Sequence, residues 1–292
     1  MSLQKSFRIT IIIPTKNEEQ TIYNCLLSIF NQSYKPYQVI LVDGGSTDRT
    51  LDIARTFPVK ILYENPPGSP ANARNLGAFQ ATGDYILFVD ADTKLDKDCL
   101  LQSLHYLEDP RIVGLSLNYI FDPKTSFEKK LARWRTARAT VFKSYRHFPT
   151  LIKKKVFDII RFDDTLGYGE DADFSKRLAN YSKSNGLKIM KAENCLVYAR
   201  LPECFLEFRK QAKWYGETIS DYIKKNHQIE DILRFIDFVA FLFFPFILIY
   251  DFIGWLMLND RHISDLFDFL MLNIVRGIFF CEGFIHRCLN SK

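Results

Sequence analysis

The feature that most constrains this chain is an alternation repeated four times in its first 120 residues. Short apolar runs take turns with helix-patterned segments, and each run stops at a polar or turn-forming residue. "RITIII" (8–13) reads as a buried strand ended by Pro14. After "PTKNEE", residues Ile22, Cys25, Leu26, Ile29 and Phe30 recur at the i, i+3, i+4, i+7, i+8 spacing of one helix face. "QVILV" (38–42) leads into "DGGSTDRT", with turn glycines and a helix cap at Ser46. "VKILYE" (59–64) precedes "NPPGSPANARNLGAFQA", where Ser69 and Pro70 form a cap and first turn. Arg74 then falls within about a turn of an electropositive helix N-terminus. Gly83 and Asp84 turn the chain into "YILFVDADT". Such alternation predicts an α/β fold, a mostly parallel sheet with helices on both faces. Ligands of such sheets bind beyond the carboxyl ends of the strands, where Asp43, Asp90 and Asp92 stand.

Asp90 and Asp92 are two residues apart, so on extended backbone they point to the same side and repel. They form either a solvated strand end or a cation site. Beyond them, "VGLSLNYI" (113–120) alternates as a strand with one exposed side, and "FDDTLGYGEDADFSKRL" reads as a loop followed by a helix from about Asp171. "LKIMKAENCLVYA" is a final strand, and "PECFLEFRKQAKWYGETISDYI" an amphipathic helix.

Charge is unevenly placed. The chain of 292 residues carries +5 overall, yet Lys124–Lys155 holds eleven Lys or Arg against Glu128 alone, leaving the rest acidic. That segment, read as a helix with Phe127, Leu131 and Trp134 on one face, suggests an anionic partner. No nucleic-acid motif accompanies it, so nucleic acid is not the expected partner. The six cysteines form no CxxC pair and read as core thiols of a reducing compartment. The opening "MSLQKSF" leads into a strand without the pattern of a signal peptide.

The C-terminal part differs in composition. Phe238–Tyr250 lacks charge, and accepting Asp251 extends the apolar run to Leu258, about the ~20 residues a spanning helix needs. Pro245 and Asp251 favour a broken or re-entrant helix; a docked helix hairpin is the alternative. Leu266, Leu270, Ile274 and Ile278 repeat helically in a second apolar stretch suited to an interface or to completing a hairpin. Lys224, Lys225, Arg234, Arg287 and Lys292 flank the pair and place both ends on the cytoplasmic side. The expected division is a catalytic domain over 1–230, with a nucleotide-sugar half to about 120 and an acceptor half over 121–230. Residues 231–292 follow as a membrane-associated apolar hairpin or interfacial anchor.

"IIIPTKNEE", "VILVDGGSTDRT", "ANARNLGAFQATGDYILFVDAD", "FDDTLGYGEDADFSKRL" and "RKQAKWYG", in that order from Arg8 to about Tyr215, resemble a family 2 glycosyltransferase. That family is inverting, with the Rossmann-like GT-A fold, a mostly parallel mixed sheet flanked by helices. The resemblance implies that Pro14, Thr15, Asn17 and Glu18 contact the nucleoside of a sugar nucleotide. It also implies that Asp43 reads the base or ribose and that Arg74 lies near the base and diphosphate. A carboxylate accepting from N–H or hydroxyl groups and an arginine on anionic oxygens suit those tasks. Asp90 and Asp92 match the DxD motif. The resemblance assigns a divalent cation, Mg²⁺ or Mn²⁺, mainly to Asp92, and ribose or sugar contact to Asp90. Such a cation takes one or two carboxylates plus donor phosphate oxygens. Asp171 matches the general base and Glu170 an acceptor-orienting acid, although two acids at a helix start are also favourable without catalysis. Lys210, Lys213 and Trp214 occupy the (Q/R)xxRW position near acceptor or diphosphate, with Lys where Arg is usual; a core-packing role for Trp214 is the alternative.

Two departures stand out. Ala199 replaces a histidine that often follows the final strand, and Gly44 replaces a common second Asp. The resemblance implies a UDP- or GDP-sugar donor. A clear acidic pair at "GYGED" points to a hydroxyl of a lipid-linked glycan or glycolipid as acceptor, because a polyprenyl phosphate arrives ionised and needs no base. The expected location is the cytoplasmic face of the cell membrane, in contact with membrane lipids. Transfer to a polyprenyl phosphate is the rival reaction. A non-catalytic scaffold of a glycan-assembly complex is the rival outside enzymes.

Overall fold

The structure is a computed structural model that describes residues 7–66, 69–141, 148, 150–166, 169–225, 252, 253, 255, 256, 258 and 263–290. The uncharged run Phe238–Tyr250 lies outside the described residues, as do Gly167 and Tyr168 of "GYGED". The chain divides into two compact units.

The first unit comprises 1–120, 147–165 and 170–200. The expected alternation appears as β1 (Ile9–Thr15), α1 (Ile22–Phe30), β2 (Gln38–Asp43), α2 (Thr50–Ala54), β3 (Lys60–Tyr63), α3 (Pro70–Phe79) and β4 (Tyr85–Phe88). Next come β5 (Thr93–Leu95), α4 (Cys99–Leu107), β6 (Ile112–Phe121), whose last residue belongs to the second unit, β7 (Leu151–Lys153), α6 (Lys154–Ile160), α7 (Glu170–Ser184) and β8 (Lys188–Ala199). Among the described residues the strands form one sheet in the order β3-β2-β1-β4-β7-β6-β8-β5.

Pairing is parallel across β3, β2, β1 and β4. It turns antiparallel where β7 enters between β4 and β6, and where β5 meets β8. The sheet is thus mixed, as the GT-A fold implies, but it is less than mostly parallel, since parallel pairing ends at β4. The reason is the three-residue β7, "LIK", which has too few apolar residues to stand out in sequence yet occupies the sheet centre.

Strand alternation builds two core layers. Ile9, Ile11 and Ile13 face α1 and its Ile22, Cys25, Leu26 and Ile29. Ile12, Ile40, Val42, Ile86 and Phe88 face the opposite way, toward Phe157, Phe174 and Leu178 of α6 and α7. Burial on both faces explains why the central strands read as continuous apolar runs. α3 lies very close to the sheet: a Cβ at Gly77 would stand 2.5 Å from Ile12 Cγ2 and 3.1 Å from Val42 Cγ2. This glycine lets the helix seat Arg74, one turn earlier, against the strand ends.

The second unit comprises 121–146, 166–169 and 201–292. It contains α5 (Ser126–Val141), α8 (Phe205–Lys225) and α9 (Ile263–Asn290). Leu131, Trp134, Phe208, Phe269 and Leu272 form its core. α8 and α9 touch backbone to backbone, since a Cβ at Gly216 would meet Phe280 O at 1.9 Å and one at Gly283 would meet Lys213 O at 2.0 Å. Part of the basic segment is neutralised inside this unit. Arg133 forks onto Asp265 at 3.0 and 2.6 Å, and Lys130 pairs with Asp268 at 2.8 Å. No helix among the described residues is long and apolar enough to cross a membrane.

Candidate active site

The residues singled out at the ends of β1, β2 and β4 and at the start of α7 all belong to the first unit. Two loops are laced together there. Ser46 Oγ accepts from Asn17 N at 2.9 Å, and Asn17 Oδ1 accepts from Thr47 N at 2.8 Å. Thr50 Oγ1 accepts from Glu18 N at 2.7 Å, and Glu19 Oε2 accepts from Arg49 N at 3.2 Å. Asn17 adopts φ 54°, a left-handed conformation that asparagine tolerates better than most side chains. The lacing holds the loop after β1 in place before any ligand arrives.

Asp43 is buried, and its carboxylate accepts from Gly45 N at 3.1 Å and from Ser46 N at 3.2 Å. It therefore shapes its own loop while each oxygen keeps further acceptor capacity. Thr15 pairs in register with Asp43, and its backbone oxygen accepts from Gly44 N at 2.8 Å. Pro14 is half-buried beside it.

Arg74 is the hub. The guanidinium donates to Glu170 Oε1 at 2.8 Å and to Asp90 Oδ1 at 3.1 Å. It lies 5.4 Å from the ring centre of Phe162, a cation–π distance. One arginine thus joins the first acid of the DxD motif to the first acid of "ED". Burial pushes the Glu170 carboxyl up, and Arg74 pulls it back. Asp171 is exposed and accepts only from Ala172 N, at 2.7 Å, among the hydrogen bonds resolved for its side chain. It remains open toward an incoming group.

Asp92 shows the same division of labour. Asp90 is held by Arg74, whereas Asp92 is half-buried and pushed up to about 7 by burial, by Asp90 and by Glu18. Arg200, the residue after Ala199, opposes that rise at both Asp92 and Glu18. Ala199 lies in register with Thr93, so the position of the missing histidine does fall beside the DxD strand end. Among the described residues no three His, Cys, Asp or Glu side chains cluster as a metal cage. The surplus of negative charge at Asp92 nevertheless fits a divalent cation that takes one or two carboxylates and fills its shell from a ligand's phosphates.

Lys210, Lys213 and Trp214 lie on α8 of the second unit. Lys213 pairs with Glu282 of α9 at 2.9 Å, Lys210 is exposed, and Trp214 packs against Tyr215 at 5.3 Å while 41% exposed. Sequence reasoning missed Glu64, Asn72 and Arg200. Glu64 closes the run "VKILYE" as Asp43 closes "QVILV", so the strand-end rule that marked Asp43 applied to it equally.

The Glycosyl transferase family 2 sequence model matches residues 10–164. The chain belongs to this family. A Methanococcus voltae enzyme, dolichyl N-acetyl-alpha-D-glucosaminyl phosphate 3-beta-D-2,3-diacetamido-2,3-dideoxy-beta-D-glucuronosyltransferase, is 33% identical over 75% of this chain and 75% of its own length. An uncharacterized glycosyltransferase of Haemophilus influenzae is 36% identical over 39% of this chain, and the match spans 47% of that protein. Among solved structures, mannosyltransferase PcManGT from Pyrobaculum calidifontis, in complex with GDP-Man and Mn²⁺, superposes with a TM-score of 0.54 at 18% identity, covering 99% of this chain and 77% of that one. S. aureus TarS 1-349 in complex with UDP-GlcNAc gives 0.53 at 17% identity, covering 96% and 92%. The family 2 chain thus has a GT-A-like α/β mixed sheet flanked by helices.

Proposed function

We propose that the chain is an inverting glycosyltransferase that moves a sugar from a UDP- or GDP-sugar to a hydroxyl of a lipid-linked glycan or glycolipid. The observation that carries this reading is Arg74 bridging Asp90 and Glu170, which brings the DxD and ED motifs together and leaves Asp92 and Asp171 open. Asp43 and the laced loops hold the nucleoside, and Asp90 meets the ribose or sugar. Asp92, with Asp90 beside it, holds a Mg²⁺ or Mn²⁺ ion. Such an ion, when bound, stabilises the charge that builds on the departing diphosphate. Asp171 takes the proton from the acceptor hydroxyl as it attacks, and Glu170, fixed by Arg74, orients that hydroxyl. Donors of the proposed kind occur with the similar folds, GDP-Man in one and UDP-GlcNAc in the other. The name of the Methanococcus relative specifies a lipid-linked sugar as acceptor.

Membrane association at the cytoplasmic face belongs to the same proposal. Ile263, Phe267, Met271, Ile278 and Ile285 are exposed at helical spacing along α9, a stripe suited to lying in a lipid interface. Lys210, Lys213 and Trp214 are proposed to serve the acceptor or diphosphate. The test is to incubate the full chain with UDP- and GDP-sugars, Mn²⁺ and lipid-linked glycan acceptors, following nucleoside diphosphate release and glycolipid product. Release and transfer abolished by chelator support the reading. Metal-independent transfer removes the role of Asp92, and absence of transfer from every sugar nucleotide removes the reading itself.

A further inference from the structure

Glu64 follows β3 and is 8% exposed. Its backbone N donates to Asp43 O at 2.9 Å, which fixes it beside the carboxyl end of β2. Oε1 accepts from Asn72 Nδ2, in the first turn of α3, at 2.7 Å. Oε2 accepts no hydrogen bond among the described residues. Instead it faces Gly44, where a Cβ would stand 3.0 Å from it. A carboxylate held within a loop with one oxygen anchored and the other left without a protein partner is placed to accept from a ligand.

The position says which part of a ligand that is. In the order β3-β2-β1-β4, the nucleotide-sugar reading puts the diphosphate end of the donor at β4 with Asp92. Three strand spacings of ~4.8 Å separate β4 from β3, about 14 Å, the length scale of an extended nucleoside diphosphate. The group reaching Glu64 is therefore the nucleobase. An ionised carboxylate only accepts, so the group it takes is an N–H of the base edge. Gly44 stands where the resemblance has a second acid. The structure instead brings a carboxylate from the neighbouring strand into the space that the glycine leaves open.

We propose that Glu64 is a base-reading residue, accepting an N–H of the donor's nucleobase on Oε2, with Gly44 leaving that oxygen the room to stand there. The inference rests on the nucleotide-sugar reading above. Titration calorimetry of the full chain with UDP, GDP and inorganic pyrophosphate, each with Mn²⁺, tests it. In Glu64→Gln the amide oxygen can keep Asn72 while an NH₂ replaces Oε2, reversing polarity with little change of shape. The dissociation constant of the tighter-binding nucleotide is expected to rise about tenfold or more, with that of pyrophosphate unchanged. Gly44→Ala, which crowds only the tip of the Glu64 side chain, should act in the same direction and less. Unchanged nucleotide binding in both variants overturns the role of Glu64. Equal weakening of nucleotide and pyrophosphate also overturns it, because that marks displacement of α3. A wild-type chain that binds neither UDP nor GDP overturns the nucleotide-sugar reading along with it.

Discussion

The α/β unit and the helical unit treat charge in opposite ways. In the helical unit acids and bases meet in pairs: Arg133 with Asp265, Lys130 with Asp268, Lys213 with Glu282. At the strand ends of the α/β unit, Glu18, Asp90, Asp92, Glu170 and Asp171 face the two cations Arg74 and Arg200. Paired charges hold helices together and ask for nothing more. Surplus charge beside a sheet's carboxyl edge is electrostatically unfavourable until a ligand arrives. The contrast separates residues that build the protein from residues held ready for a partner.

Substitutions on the two sides should therefore behave differently. Asp171→Asn is expected to lower transfer about 10²- to 10⁴-fold, the usual contribution of a general base. Its melting midpoint and nucleotide affinity, measured by scanning calorimetry and titration, should match the wild type. Arg74→Ala should cost about 3–5 kcal/mol in urea unfolding, because Glu170 is left buried beside its neighbour Asp171 without a compensating charge. Adding Glu170→Gln should recover part of that loss. A single variant of wild-type stability would show that Arg74 is not the brace described here. Asp265→Asn in the helical unit should cost about 1–3 kcal/mol by loss of the Arg133 fork, while nucleotide affinity stays unchanged. A change in affinity would blur the line between the two kinds of charge. Asp92→Asn should weaken Mn²⁺ binding more than tenfold yet, like Asp171→Asn, leave the ligand-free protein as stable as the wild type, or slightly more so. Removing one of several like charges relieves a repulsion, so marked destabilisation at Asp92 would contradict the surplus-charge account.

Much of this was legible in the sequence. The first four strands, α1 and α3 lie where periodicity and caps predict them, and Ser69 does cap α3, its Oγ accepting from Asn72 N at 3.4 Å. Ser46 does not cap α2, which begins at Thr50 behind Arg49, because its Oγ is taken by Asn17 N across the two loops. Asp43, Asp90 and Asp92 were marked by their place at strand ends alone. Other parts were illegible for physical reasons. β5 and β7 have three residues each, too short to carry a period. α4 is faint in the sequence because Ser103 interrupts the apolar period of its buried face, Cys99, Leu100, Ser103 and Leu107. The place of Glu64 at a strand end was legible, but its burial and its bond from Asn72 were not, because a buried acid and a solvated one look the same in a string of letters.

What the sequence determined by itself is the layered α/β architecture and the identity of the acids at its edge. Those follow from local rules, the two-residue period of strands and the 3.6-residue period of helices, which act over a few residues. Only the tertiary structure decided which acids are occupied and which are open. Arg74 reaches Asp90 across 16 positions and Glu170 across 96, and Glu64 meets Gly44 across two strands. Burial and ion pairing are properties of the packed chain, and they alone divide four similar carboxylates into Asp90 and Glu170, which Arg74 ties together, and Asp92 and Asp171, which it does not bond.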